Sequence, residues 1–324
     1  MTSEHTPAPE TDMPEGGLAA LLRVLDVASA EPVALDDTYA ELGASTAPTE
    51  EVRFRGESVK TPFDDRIYGG QALAQALLAA GRTVPPGHVP HSMHAYFLRQ
   101  GTRSKPIEFE VENLRDGRSF SARRVHALQD DKPILAAEAS FQLDQPGYDQ
   151  QRPMPDNVPP PQLQVPASVF VDEIDHPAAK WWGSDAAFEI RPVNPPIYLA
   201  ADPVPVDRQM VWVKARGTVP PPSDPAVSEQ LWHRALLAFA CDQLLLEPSV
   251  RGAGKSWFDV GRGIPMASLD HAMWWHRDFR VDEWLLFVQE AASSQGGRTL
   301  GQARVYKQDG ALVASIAQEG MMRL

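Results

Sequence analysis

The feature that most constrains the fold is an internal repeat with an offset of about half the chain. Residues 117–125 parallel 297–305 at an offset of 180, and residues 134–136 parallel 312–314 at an offset of 178. Repeats of solenoid and propeller proteins are far shorter, at about 20–50 residues. The 324-residue chain is therefore expected to contain a duplicated domain, with enough length for a core in each copy.

The first copy shows one helix followed by strands. A run of small residues opened by Gly69-Gly70 and closed by Gly81 predicts a helix over 71–80. Asp116-Gly117 is a tight-turn signal between two strands of a hairpin. The strand-like runs of this half are 91–99, 107–114, 119–129 and 134–143.

The second copy repeats this order. Its predicted helix, 230–246, is apolar on nearly every side from residue 235 onward, which indicates burial all round. Strands are predicted over 188–191, 211–215, 267–276, 284–292, 299–307 and 312–322. A helix followed by antiparallel strands, twice, predicts an α+β protein with a double hotdog arrangement, in which two antiparallel sheets each wrap on a long buried helix.

Composition along the chain predicts the outer boundaries. Residues 1–16 are polar and without periodicity, as in a disordered tail, and 17–50 are predicted to hold a short helix (18–27) and an acidic extension. The first hotdog domain is placed at 51–145 and the second at 181–324. Between them, 146–180 is predicted to be a linker, since residues 143–166 hold seven prolines.

Charge and cysteine content narrow the class of protein. The net charge is −13, but −10 of it lies in residues 1–51, so the rest of the chain is nearly neutral. No basic stripe suggests a nucleic-acid partner, and no apolar run approaches the length of a membrane span. With a single cysteine, Cys241, and no signal sequence, we expect a cytoplasmic protein.

Three polar residues in apolar surroundings are candidates for chemistry. Asp242 interrupts the apolar helix of the second half, and an unpaired buried carboxylate is costly, so it is either a satisfied structural residue or a functional one. Gln318 is the polar side chain on the apolar face of the last strand, where a structural glutamine is the simpler reading. Ser268 begins the strand over 267–276.

Other catalytic patterns find no support in the sequence. His271 and His276 fall on opposite faces of one strand, so no metal site is predicted, and no cofactor is expected. A Gly-x-Ser-x-Gly elbow is absent, which argues against a serine hydrolase of the α/β class.

Six segments together resemble the acyl-CoA thioesterase II (TesB-like) family. They include Arg-Ile-Tyr-Gly-Gly-Gln at 66–71 and Leu-Asp-His-Ala-Met-Trp-Trp-His-Arg at 269–277. The remaining four are 54–58, 91–99, 114–125 and 317–323. The similarity runs from about Leu18 to the C-terminus and implies a double hotdog fold and hydrolysis of acyl-CoA to free acid and CoA.

The resemblance also implies roles for the three polar residues. The family's catalytic aspartate falls on Asp242, its glutamine on Gln318, and its hydroxyl residue, often threonine, on Ser268. These residues are expected to activate a water that attacks a medium- to long-chain fatty acyl thioester. Backbone N–H groups at Gly69, Gly70 and Gln71 are candidates for binding the oxyanion.

Further expectations concern partners and alternatives. Acyl-CoA is the expected ligand, its chain lying in an apolar tunnel between helix and sheet, and the resemblance implies a homodimer or homotetramer. Two other functions remain open: a non-catalytic acyl-CoA binding or sensing protein, and an enoyl-CoA hydratase on the same fold. The Gly-Asp-x-Asn-Pro context typical of the latter is absent.

Overall fold

The computed structural model describes residues 17–29, 52–59, 65–175, 179 and 182–324. The predicted disordered tail, 1–16, lies outside these ranges. Of the predicted helix and acidic extension, 17–50, only residues 17–29 lie within them.

The described strands form one continuous antiparallel sheet. Its order is β1-β2-β4-β5-β6-β3-β10-β13-β12-β11-β8-β7, with β9 paired to β13. The strands are β1 (Ala28–Ser29), β2 (Val52–Gly56), β3 (His88–Phe97), β4 (Ile107–Asp116), β5 (Phe120–Gln129), β6 (Lys132–Leu143), β7 (Phe188–Pro192), β8 (Arg208–Ala215), β9 (Met266–Ser268), β10 (Asp270–Trp275), β11 (Leu285–Gln295), β12 (Arg298–Lys307) and β13 (Leu312–Met322).

The two predicted sheets join at β3 and β10. Met93 of β3 lies opposite Met273 of β10 in an antiparallel register, so the repeat in the sequence becomes a near two-fold relation at this seam. Pairing at the seam covers the edge that each half would otherwise expose.

The helices of the described chain lie against this sheet and each other. They are α1 (Gly17–Leu25), α2 (Gly69–Gly81), α3 (Ser168–Val171), α4 (Glu229–Cys241), α5 (Glu247–Gly252) and α6 (Trp257–Gly261). The central pair is α2 and α4, with α2 also packing on β3 to β6 and α5 packing on β8, β11 and β12. Both central helices have almost entirely buried side chains.

The prediction of one helix over 230–246 was wrong at its C-terminal end. Helix α4 ends at Cys241, Asp242 is its C-cap, and residues 242–246 form turns before α5 begins. Apolar content alone cannot locate this break, because the turn residues Leu244, Leu245 and Leu246 are as buried as those of the helix. The predicted strand 267–276 is likewise divided into β9 and β10 at Leu269, whose N–H bonds to the Glu319 carbonyl.

Candidate active site

Asp242 lies where the C-terminus of α4 meets the N-terminus of α2. The Gly70 N–H donates to Asp242 Oδ2 at 3.0 Å, across the boundary between the two halves. A side chain at Gly70 would prevent this approach, because a Cβ there would lie 2.4 Å from the Phe239 carbonyl oxygen of α4. Carboxylates are favoured at helix N-termini by unpaired N–H groups and the helix dipole.

Ser268 and Gln318 complete a hydrogen-bonded cluster with Asp242. Ser268 Oγ donates to Asp242 Oδ1 at 2.9 Å. Gln318 Nε2 donates to the same oxygen at 2.9 Å and to Ser268 Oγ at 2.6 Å. The pairing of β9 with β13, in which Ser268 lies opposite Gly320, brings these side chains together.

The electrostatics of the cluster favour a basic carboxylate. Burial raises the pKa of Asp242 above its ordinary value, and the hydrogen bonds from Ser268, Gly70 and Gln318 offset part of that rise. Among the described residues, no Lys or Arg contributes to the pKa shift of Asp242. A carboxylate without a cationic partner in such a site holds a proton more readily than a surface aspartate.

The predicted oxyanion residues lie at the same helix N-terminus but differ in their contacts. The Gly70 N–H is engaged by Asp242, whereas Gly69 N–H has no acceptor within the part of the chain that the structure describes. The Gln71 N–H donates to the Tyr68 carbonyl. The Gln71 side chain is directed away from the cluster, where its Oε1 accepts from the Val59 N–H at 2.9 Å.

A cavity of about 510 Å³ opens onto the cluster, with Asp242 and Ser268 in its wall. Such a volume lies within the range of about 300–1,000 Å³ usual for small-molecule sites. The rest of the wall is largely apolar and aromatic. It comprises Tyr68, Val171, Ile174, Asp175, Ala179, Trp182, Tyr198, Leu199, Gln243, Leu246, Trp257, Phe258, Val260, Gly261, Arg262, Met266 and Ala267.

The position of this cavity differs from the expected tunnel between helix and sheet. Much of its wall comes from 171–182, around the predicted end of the linker, and from 257–268. Hydrophobic periodicity predicts long helices and strands, whereas these segments consist of loops and short elements such as α6 and β9, which are too short to show a period. The tryptophans of these segments, among them Trp182 and Trp257, are the signal that the sequence offers.

His271, which the sequence suggests only as a possible metal ligand, also contacts the cluster. His271 is 1% exposed, and its Nδ1 lies 3.1 Å from Gln318 Oε1. Within the described ranges no group of three or more metal-binding side chains is found. The same ranges hold no helix of the length and apolarity that a membrane crossing requires.

Comparison with known proteins identifies the family and supports the fold. Residues 57–142 match the model of the acyl-CoA thioesterase N-terminal domain, and residues 160–322 match that of the acyl-CoA thioesterase C-terminal domain. Acyl-coenzyme A thioesterase 8 of Mus musculus is 34% identical over 294 residues, which cover 86% of each chain.

Two solved structures extend the similarity to three dimensions. The acyl-CoA thioesterase II TesB2 of Mycobacterium marinum is 33% identical, with a TM-score of 0.67 over 94% of this chain and 98% of that one. A hotdog-fold protein of Alicyclobacillus acidocaldarius is 20% identical, with a TM-score of 0.65 over 86% and 95% of the two chains, and supports the fold alone.

The chain therefore belongs to the acyl-CoA thioesterase family, in its TesB-like type II branch. Its class is that of thioester hydrolases, and the fold is a double hotdog.

Proposed function

We propose that the protein hydrolyses medium- to long-chain fatty acyl-CoA, using a water activated by Asp242 with Ser268 and Gln318. The observation that carries the proposal is that Asp242 and Ser268 belong both to the hydrogen-bonded cluster and to the wall of the apolar cavity. An acyl chain in that cavity would bring its thioester to the carboxylate.

In the proposed reaction, Asp242 takes a proton from water as the water oxygen bonds to the thioester carbonyl carbon. The carbonyl oxygen becomes an oxyanion, for which the Gly69 N–H at the start of α2 is the proposed donor. The intermediate then collapses, the carbon–sulfur bond breaks, and the CoA sulfur leaves with the proton held by Asp242. The products are the free acid and CoA.

Ser268 and Gln318 support this proposal by holding the base. Their hydrogen bonds converge on Oδ1 of Asp242, so the carboxylate has a fixed orientation before substrate arrives, and Ser268 Oγ retains capacity to accept a hydrogen bond from the water. Positioning of this kind removes part of the entropic barrier to reaction. General-base catalysis itself is typically worth about 10²–10⁴ in rate.

The test is free-thiol release from a series of short- to long-chain acyl-CoA thioesters, with wild type beside Asp242→Asn. The control is Asp309→Asn, which alters an exposed turn. We expect turnover by wild type and the control, and loss of about 10²-fold or more in kcat for Asp242→Asn. Full activity in Asp242→Asn would refute the mechanism.

The same experiment separates the alternative functions. Wild type that binds acyl-CoA without releasing thiol would be a binding or sensing protein. Hydration of an enoyl-CoA, measured as the loss of its absorbance, would indicate a hydratase.

We also propose that the chain acts in the cytoplasm as a homodimer or homotetramer built from hotdog units 51–145 and 181–324. Supporting assembly, Tyr96 and Trp274 are 62% and 38% exposed on one face of the adjacent strands β3 and β10. Light scattering of wild type and Trp274→Ser measures the state, and a monomeric wild type would contradict the proposal.

A further inference from the structure

We propose that His271 is a positioning residue, which fixes the orientation of the Gln318 side-chain amide and, through it, the Asp242 carboxylate. The inference rests on the proposed function of the Asp242 cluster. Among the described residues, the hydrogen bond of the His271 side chain is to Gln318 and not to Asp242 or Ser268, so its effect on them passes through Gln318.

The geometry places His271 directly behind Gln318. The two residues lie on the adjacent strands β10 and β13, one position beyond the Ala272–Ala317 pair. His271 and Gln318 are 1% and 0% exposed, and His271 Nδ1 is 3.1 Å from Gln318 Oε1. Solvent therefore does not compete for this contact.

The position of the proton follows from the chemistry of the cluster. An ionised carboxylate only accepts hydrogen bonds, so the amide nitrogen of Gln318 must face Asp242, and its oxygen must face His271. Two acceptors cannot bond each other, so His271 Nδ1 carries a proton and donates it to Gln318 Oε1. Burial lowers the pKa of His271 to about 4, which leaves the ring neutral at neutral pH.

The opposite arrangement would disrupt the base. If the proton were on Nε2, the Nδ1 lone pair would face Gln318 Oε1, and only rotation of the amide would relieve the repulsion. That rotation turns Oε1 towards Asp242 and removes a donor from the carboxylate. The Nε2 atom is buried without a partner among the described residues, so in this part of the chain Gln318 alone selects the tautomer.

The first half provides a natural control. His91 stands 180 positions before His271, and its Nε2 lies 2.8 Å from the Ser140 hydroxyl of β6. There the C-cap of α2 is Arg82, whereas the C-cap of α4 is Asp242. The first half thus retains a histidine hydrogen-bonded to its neighbouring strand but lacks the acid that would use it.

The experiment compares three variants in steady-state thiol release. His271→Leu removes the donor, His271→Asn retains an N–H near the position of Nδ1, and His91→Leu removes the counterpart in the first half. We expect kcat to fall about ten- to a hundredfold in His271→Leu, because a buried acceptor is left unpaired. KM should change less than twofold, and His271→Asn should recover most of kcat.

The pH profile supplies a readout that a purely structural role would not move. Loss of the Gln318 hydrogen bond removes an interaction that lowers the pKa of Asp242, so the acidic limb of kcat/KM should move to higher pH in His271→Leu. Among the described residues, the other titratable groups that interact electrostatically with Asp242 are Tyr68 and Cys241. Burial raises the pKa of both well above their ordinary values, so neither accounts for an acidic limb.

The wild-type protein also permits a test without substitution. Nitrogen-15 chemical shifts of the His271 ring should show a neutral ring with the proton on Nδ1, and a proton on Nε2 would overturn the proposal. Equal kcat in wild type and His271→Leu would overturn it as well, as would equal losses in His271→Leu and His271→Asn. An inactive wild type would instead refute the proposed function.

Discussion

Substitution of Gly69 by alanine tests whether the close approach of α2 to Asp242 is required for activity. A Cβ at Gly69 would lie 2.7 Å from Asp242 Oδ2 and 2.9 Å from Phe97 Cε1. Ordinary van der Waals contacts at such a position begin at 3.4 Å, so the carboxylate must move by several tenths of an ångström. Its hydrogen bonds from Ser268 and Gln318 oppose that movement.

Two effects of Gly69→Ala are expected together. Overpacking of a filled core typically costs about 1–3 kcal/mol in the free energy of unfolding. Displacement of a catalytic group by about 1 Å can cost about 10²-fold in rate, and the smaller shift here should lower kcat about ten- to a hundredfold. Because Gly69→Ala keeps the backbone N–H, the loss of kcat reports on the position of the Asp242 carboxylate.

The assay is steady-state thiol release at saturating acyl-CoA, with urea unfolding measured in parallel. Gly147→Ala is the matched control, because no atom lies within 4 Å of the added Cβ at that position. If Gly69→Ala matched Gly147→Ala in both kcat and stability, the argument from close packing would be refuted.

Four further predictions address stability, pH dependence and substrate length. Arg251→Met should lower the free energy of unfolding by about 3–5 kcal/mol, since it removes the cationic partner of the buried Glu247. Arg208→Met, at an exposed ion pair, should cost less than about 1 kcal/mol in the same urea titration. Burial raises the pKa of Asp242 above the ordinary value of 3.8, and the proposed base acts when it is ionised. The acidic limb of the kcat/KM profile should therefore lie above pH 3.8, and a limb at or below that pH would contradict the assignment of Asp242. The raised pKa also means that Asp242 ionises less readily in the folded than in the unfolded chain. Its ionisation therefore lowers the free energy of unfolding of the wild type as pH rises through the folded-state pKa. Asp242→Asn should consequently lose less stability, relative to wild type, at neutral than at acidic pH. Gly261 belongs to the cavity wall, and a Cβ added there meets no atom within 4 Å, so Gly261→Leu should narrow the cavity and raise KM for long but not for short acyl-CoA. Equal effects on both would place the acyl chain elsewhere.

The repeating part of the fold was predictable from the sequence. Strand β13 is observed with the predicted bounds, and its alternation places Gln318 on the buried face, because a period of two depends only on local sequence. The family resemblance then identified the fold that these elements form, which the comparisons confirm.

Features that depend on contacts between distant segments were not predictable in this way. The end of α4 at Cys241 is a break within a run of buried residues, and the seam between β3 and β10 joins residues about 180 positions apart. Asp242, Ser268 and Gln318 could be predicted as candidates, but their mutual distances, and the position of His271 beside Gln318, required the fold. The cavity wall was not predicted, because much of it comes from loops and short elements such as α6 and β9, which show no periodicity.

The seam between β3 and β10 has a consequence for synthesis of the chain. A ribosome completes the first half while β10 is still untranslated, so β3 emerges with an unpaired edge in a partly buried sheet. Such an edge is a site of mispairing between nascent chains. The hydrogen bond between Gly70 and Asp242 likewise forms only after the second half has docked on the first. The Asp242 cluster is therefore complete only at the end of folding.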